Sequence, residues 1–276
     1  MLDVLCEGLE TTQVDQFQRD GFLLVRNLLT TEEVATIRDA FMAQCADGPA
    51  PGLSEINAAY DPSDPLARYP RMMHPHRHAE LPVGALSMQY MLDRRFQAVL
   101  RDLFADEPLA AQSMFYFKPA GARGQDLHQD NFYLRVHPGT CIAAWVAIDD
   151  ADEENGTLVV VPGSHQYEIF CPERADSTRF FTTEHVAVPP GLQEQPVLLK
   201  AGDVLFFNGS LIHGSYPNVS QDRFRRAFIC HYVPSECAEV SHGYRPLLSF
   251  DGQEVTKEGA SGGGPCGTVQ EAKSPH

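Results

Sequence analysis

From residue 111 onward the chain breaks into short apolar or alternating runs separated by Gly, Pro and Asn: QSMFYFK, CIAAWVAI, TLVVVP, PVLLK, VLFFN and RAFICHYV. Short strands recurring at this spacing indicate an all-β barrel or a two-sheet sandwich such as a jelly roll. Asn155-Gly156 is a turn signal directly ahead of TLVVVP. βαβ alternation and a Gly-rich phosphate loop after a strand are both missing, which argues against a dinucleotide-binding fold. The expected class is mainly β, with N-terminal helices packed on one side.

The N-terminal part reads differently. TTQVDQFQRD (11–20) is helical and ends at Gly21, FLLVR (22–26) is a short strand, and TTEEVATIRDAFMAQC (30–45) is a capped helix with Val34, Ile37 and Phe41 at helical spacing. Residues 47–80, rich in Pro, Asp and His, are too irregular for a regular element, and so long a loop is usually functional or mobile. Residues 81–104 are helical, as two helices or as one interrupted near Gly84. The expected organisation is one domain over 1–250, with a helical part to 110 and a β core over 111–235. The Gly- and Ser-rich stretch 251–276 is expected to be a flexible tail.

A net charge of −16 argues against nucleic-acid or anionic-membrane partners, which need clustered Lys and Arg. No window approaches the roughly 20 apolar residues that span a bilayer. The opening MLDVLCEGLETTQVDQ lacks the layout of a secretory signal, so a cytoplasmic location is expected. Seven scattered cysteines without a CxxC pair fit reduced thiols.

His128-Gln129-Asp130 precedes an aromatic stretch. Alternate residues of a strand project to one side, so a His-x-Asp pair aims an imidazole and a carboxylate into one space. His213 follows the strand-like VLFFNGSL, and distant strands of a double sheet can be neighbours. Two imidazoles and one carboxylate that leave other positions open suit non-haem iron(II) chemistry. His165 in VPGSH and His137 beside Pro138 read instead as structural residues. Beyond His213 a turn-rich loop enters a β run carrying Arg225 and Arg226. An arginine projecting inward there needs an anion, and the distal carboxylate of 2-oxoglutarate is a suitable two-pronged partner.

HQD, CIAAWVAIDDADEENGTLVVVPGSH and AGDVLFFNGSLIHGSYPNVSQDRFRRAF together resemble the phytanoyl-CoA dioxygenase family, densely over 112–234. The resemblance implies a double-stranded β-helix (jelly roll) using Fe(II) and 2-oxoglutarate. It carries the metal-ligand role to His128, Asp130 and His213, and makes Ser215 a hydrogen-bond partner of the cosubstrate. The family motif Asp-Arg-Pro-Arg-Arg, matched to Asp222–Arg226, selects Arg225 as the anchor, with Arg226 as runner-up. That match needs one extra loop residue, since a strict count from His213 lands on Phe224. Leu127 stands where the family often has Trp. Trp145 falls near the family's cosubstrate, although a core aromatic in an alternating strand explains it equally well. Lys118 and Arg123 are within reach of cosubstrate or substrate, and Gln129 and Tyr133 flank the ligands as candidate pocket walls.

The expected activity is hydroxylation of a small molecule with molecular oxygen, because Asp130 fills the position that related halogenases vacate for chloride. The stretch 68–78 carries Arg68, Arg71 and Arg77 with His74, His76 and His78. It is either a lid for an anionic substrate group or a loop paired with surface acids. A cupin-like hydrolase or isomerase with zinc or manganese is the alternative, but it leaves Arg225 and Ser215 unexplained.

Overall fold

The computed structural model describes residues 8–46, 48–55 and 61–260. Its main helices are α1 (Thr11–Asp20), α2 (Thr31–Gln44), α3 (Pro82–Met91) and α4 (Arg94–Phe104). Thr30 opens α2 with a capping box: its side chain accepts from Glu33 N, and the Glu33 carboxylate accepts from Thr30 N. The break in 81–104 is not at Gly84, which lies inside α3 because a Cβ there would collide with the His78 carbonyl. It falls at Leu92–Asp93, where the Asp93 carboxylate accepts from Arg95 N and starts α4.

The strands that build the body are β1 (Phe22–Val25), β2 (Met72–Met73), β3 (Pro108–Tyr116), β4 (Gln125–His128), β5 (Ile142–Ala147) and β6 (Leu158–Val160). They continue as β7 (Gln195–Pro196), β8 (Val204–Asn208), β9 (His213–Ser215), β10 (Ala227–Pro234), β11 (Leu247–Leu248) and β12 (Glu254–Val255). An eight-stranded sheet has the order β1-β8-β5-β10-β3-β11-β12, with β2 on β3, and a four-stranded sheet the order β4-β9-β6-β7. The pairings within both are antiparallel. These are two open sheets of a jelly roll, mainly β as expected, and not a closed barrel.

Strand alternation sorts the core into layers. On β5, Ile142, Ala144 and Val146 join the helices in one cluster with Phe41, Phe96 and Leu100. Ala143, Trp145 and Ala147 face the second sheet, where they meet Leu158 and Val160 of β6. The outer face of the small sheet, Leu127 and Val159, is covered by Phe170, Val188 and Leu192. Phe41 stacks on Phe115 with ring centroids 4.0 Å apart, which fixes α2 to β3.

The 47–80 stretch holds more regular structure than its composition suggests: a helical turn at Pro65–Arg68, strand β2 and a 3-10 turn at Pro75–Arg77. At the other end, β12 pairs with β11, and Glu258–Ala260 pairs with Glu239–Ser241, so part of the expected tail is tied to the body. Residues 261–276 lie outside the described residues. Cys45, Cys141, Cys230 and Cys237 are free and buried, whereas Cys171 is disulfide-bonded rather than reduced. Among the described residues no helix is long and apolar enough to cross a membrane.

Candidate active site

His213 is the direct cross-strand partner of His128 where β9 pairs with β4, and their rings lie 4.2 Å apart. Asp130 reaches them by a different route from the one expected. β4 ends at His128, and Asp130 takes a helical conformation (φ −61°, ψ −36°) at the head of a short helix, Asn131–Leu134. A turn, and not the strand pleat, brings its carboxylate back beside the imidazoles. Asp130 Oδ1 lies 3.5 Å from His128 Nε2 and 3.6 Å from His213 Nε2. One ligand atom from each of the three residues falls within 4.8 Å of the others, and all three residues are buried.

The protonation pattern suits a cation. His128 Nδ1 is 2.8 Å from the Asp126 carbonyl and His213 Nδ1 is 2.9 Å from the Leu211 carbonyl. A carbonyl only accepts, so each Nδ1 carries the proton and each Nε2 presents a lone pair. The Gln125 carboxamide nitrogen, a donor only, sits 3.0 Å from His128 Nε2, where such a lone pair attracts it. Burial pulls the His213 pKa down to about 4, so its ring is neutral at pH 7. Burial opposes the charge on Asp130, but the N–H of His231 favours it, and the carboxyl is held well below its usual range.

A second polar group stands on the same wall. Arg225 is 1% exposed, and its Nε donates to the Gly156 carbonyl at 3.0 Å. Its Nη2 is 3.5 Å from Ser215 Oγ, and its guanidinium lies 5.3 Å from the centre of the Trp145 ring. Nη1 is buried and has no hydrogen-bond partner among the described residues. Burial lowers the Arg225 pKa to about 10, which still leaves it charged at pH 7. Leaving such a donor dry costs about 1–3 kcal/mol or more, so the site is built for an anion. Ser215 fits the same purpose, since its Oγ accepts from Lys118 Nζ at 2.7 Å and its own proton remains to donate. His128, Asp130, His213, Ser215, Arg225 and Trp145 line one cavity. The donor set therefore fits a divalent metal with an anionic chelator beside it.

Other sequence candidates are placed elsewhere. Arg226 turns to the opposite side of the strand and forms a two-pronged pair with Asp149 at 2.7 and 2.8 Å. Gln129 is not a pocket wall: its amide donates to Ser210 O at 2.7 Å and accepts from Phe170 N at 2.8 Å, because the turn after His128 swings it outward. Lys118 is buried behind Ser215, where it also donates to Tyr216 O and Gly156 O. Burial, with Arg225 second, takes its pKa well below the ordinary value. Arg123 pairs with Asp64 at 2.8 Å. Tyr133 is buried, with its ring 6.5 Å from that of His128. His165 hydrogen-bonds the Gln18 carbonyl through its ring, and the backbone of His137 bridges to that of Glu239.

The cations of the 68–78 stretch are largely engaged within the chain. Arg68 donates to the carbonyls of Cys45 and Ala46, and Arg77 to that of Gly243. Arg71 grips Glu55 and donates to Tyr116 OH at 2.8 Å. Sequence reasoning missed His231, whose Nε2 is 3.0 Å from Asp130 Oδ2. The signal was present: in RAFICHYV it lies an even number of residues after Arg225, hence on the same face.

The family model for phytanoyl-CoA dioxygenase (PhyH) matches residues 17–227. Phytanoyl-CoA dioxygenase 1 of Oryza sativa subsp. japonica is 26% identical over 265 residues, covering 85% of this chain and 92% of the relative. Ectoine dioxygenase of Bordetella bronchiseptica is 28% identical over 232 residues, covering 78% and 72%. Among solved structures, the epimerase SnoN in complex with Fe3+, alpha ketoglutarate and nogalamycin RO superposes with a TM-score of 0.65 at 21% identity, covering 85% of each chain. That likeness shows the shared fold.

Proposed function

The chain belongs to the phytanoyl-CoA dioxygenase family, whose model spans most of it, and on that premise we propose that it hydroxylates a small molecule at His128, Asp130 and His213. It is a non-haem iron oxygenase using iron(II), 2-oxoglutarate and molecular oxygen. In the proposed assignment the three residues hold the iron through His128 Nε2, His213 Nε2 and Asp130 Oδ1. Arg225 and Ser215 receive the far carboxylate of 2-oxoglutarate, with Trp145 under the guanidinium and Lys118 bracing Ser215. Iron chelated by 2-oxoglutarate supplies the oxidising power that exchanges a substrate hydrogen for a hydroxyl, with release of succinate and carbon dioxide.

The chain's own residues orient and exclude. Backbone carbonyls of Asp126 and Leu211 hold the two imidazoles in the metal-binding tautomer. Met114, Leu158, Phe207 and Ile229 add apolar surface to a wall that also holds Tyr116, Gln125 and His231, and this partly dry setting strengthens the Arg225–carboxylate attraction. Of the three loop arginines, Arg71 borders a cavity beside the centre through Tyr116, but its fork is held by Glu55, so an anionic substrate group would have to displace that carboxylate to be recognised there. Residues 1–250, together with the strands of 251–260 that pair with them, are in this reading one oxygenase domain working in the cytoplasm.

The observation that carries the reading is the open Nη1 donor of Arg225 beside the His/Asp/His cluster. A zinc or manganese hydrolase or isomerase on the same ligands would leave it without a role. The test loads the protein with iron(II), adds 2-oxoglutarate and oxygen, and measures succinate. Succinate formed with iron and absent with zinc is expected. Oxygen-independent hydrolysis or isomerisation by the zinc form, with no succinate from the iron form, would overturn the reading.

A further inference from the structure

The two oxygens of Asp130 have different company. Oδ1 faces the imidazoles of His128 and His213, while Oδ2 lies 3.0 Å from His231 Nε2. A carboxylate oxygen only accepts, so His231 Nε2 is the donor. His231 is 1% exposed and cannot drift, because its backbone pairs with Ala143 of β5 on one side and Gln112 of β3 on the other.

We propose that His231 is a positioning residue that restricts Asp130 to ligation through Oδ1 alone, and so keeps one coordination position open for oxygen. This rests on the iron and 2-oxoglutarate reading above. Of six positions around such an ion, the three protein ligands take three and a chelating cosubstrate takes two. A carboxylate bound through both oxygens would fill the last. Rotating Asp130 to present Oδ2 would strip the His231 N–H of its acceptor in a dry site, at a cost of about 1–3 kcal/mol. The central strand cannot follow the rotation without breaking both of its ladders. Asp130 is thus braced from the side opposite the imidazoles, by a strand that carries no metal ligand.

The test uses the full chain without oxygen and compares wild type with His231→Phe, which has no donor, and His231→Gln, which keeps one. Three quantities are measured: iron(II) affinity by calorimetry, 2-oxoglutarate affinity by the visible absorption of the chelate, and nitric oxide binding, as a stand-in for oxygen, by electron paramagnetic resonance. In His231→Phe, iron and 2-oxoglutarate affinities are expected within about threefold of wild type, and nitric oxide affinity is expected to fall at least about tenfold, within the range outer-shell changes produce. His231→Gln should recover most of that loss. Wild-type nitric oxide binding in His231→Phe would overturn the proposal. So would a parallel loss of iron affinity and melting temperature in both variants, which would mark His231 as a packing residue only. Failure of the wild type itself to take up iron or 2-oxoglutarate would instead sink the underlying reading.

Discussion

Arg225, buried, and Arg71, part-buried, are both arginines beside Tyr116, yet their surroundings are opposite. Arg71 has its fork on Glu55 and a further bond to Tyr116 OH. Burial lowers its pKa, but Tyr116 and Glu55 more than offset this and hold it above the usual range. Arg225 has one carbonyl, a long contact to Ser215, a π face and an open Nη1, and burial takes its pKa down to about 10. The contrast separates a structural cation from a receptive one. A run of basic residues says how much charge is present, whereas the donors left without acceptors say where a ligand belongs.

The largest effect that can break this contrast is on cosubstrate affinity. Arg225→Ala is expected to weaken 2-oxoglutarate binding on the order of 100-fold, about 3 kcal/mol, while iron(II) binding stays within about twofold. Anaerobic titration measures both. Arg226→Ala serves as its control, since Asp149 engages that side chain and only about 1 kcal/mol of stability should be lost. If the two variants exchange these outcomes, the anchor is Arg226.

A loop whose histidines are structural should also lose stability in acid. His76 is 5% exposed, with Nδ1 2.7 Å from Ser113 Oγ, and its pKa is lowered to about 3, chiefly by burial. Its folded pKa lies below its unfolded value near 6.5, so the unfolded chain takes up protons first and stability falls as pH drops through that window. At pH 5 this amounts to about 2 kcal/mol relative to pH 7. Urea midpoints across that range should fall in wild type and fall less steeply in His76→Asn, where His74 and His213, also lowered by burial, keep part of the slope. An identical slope in the two proteins would place the acid sensitivity elsewhere.

Arg71→Met completes the series with a loss of about 2 kcal/mol, smaller than for a fully buried pair because the Glu55 side chain is 34% exposed. Its 2-oxoglutarate affinity should match wild type. A weakened cosubstrate site in this variant would erase the distinction drawn between the two arginines.

Much of this was legible before any coordinates. Nearly continuous apolar runs in CIAAWVAI and RAFICHYV announce strands buried on both faces, and a His-x-Asp with a later His is a compact chemical signature. Matching the family motif to Asp222–Arg226 selects Arg225 over Arg226, and the two side chains do part, Arg225 toward the cavity and Arg226 onto Asp149. What was hidden depended on partners remote in sequence. Nothing beside His231 announces Asp130, and nothing beside Arg68 or Arg77 announces the carbonyls of Cys45 and Gly243. A strand continued through Asp130 would already turn Gln129 away from the two ligands, and its amide is engaged with Ser210 and Phe170; what the strand reading misses is the turn that carries Asp130. Gly84 looked like a helix break, yet it is the residue that lets α3 lie against the His78 carbonyl.

Parity on β10 has one more consequence, for how this protein can change over generations. Arg225, Ala227, Ile229 and His231 share one face, while Phe228, Cys230 and Tyr232 fill the helix-side core. A substitution alters one of these residues, but inserting or deleting a single residue between Ala227 and His231 would turn His231 into the helix-side core, and a deletion would bring Tyr232 opposite Asp130. Lineages that keep the activity should therefore vary in length within the 216–224 loop and hold the spacing from Arg225 to His231 constant.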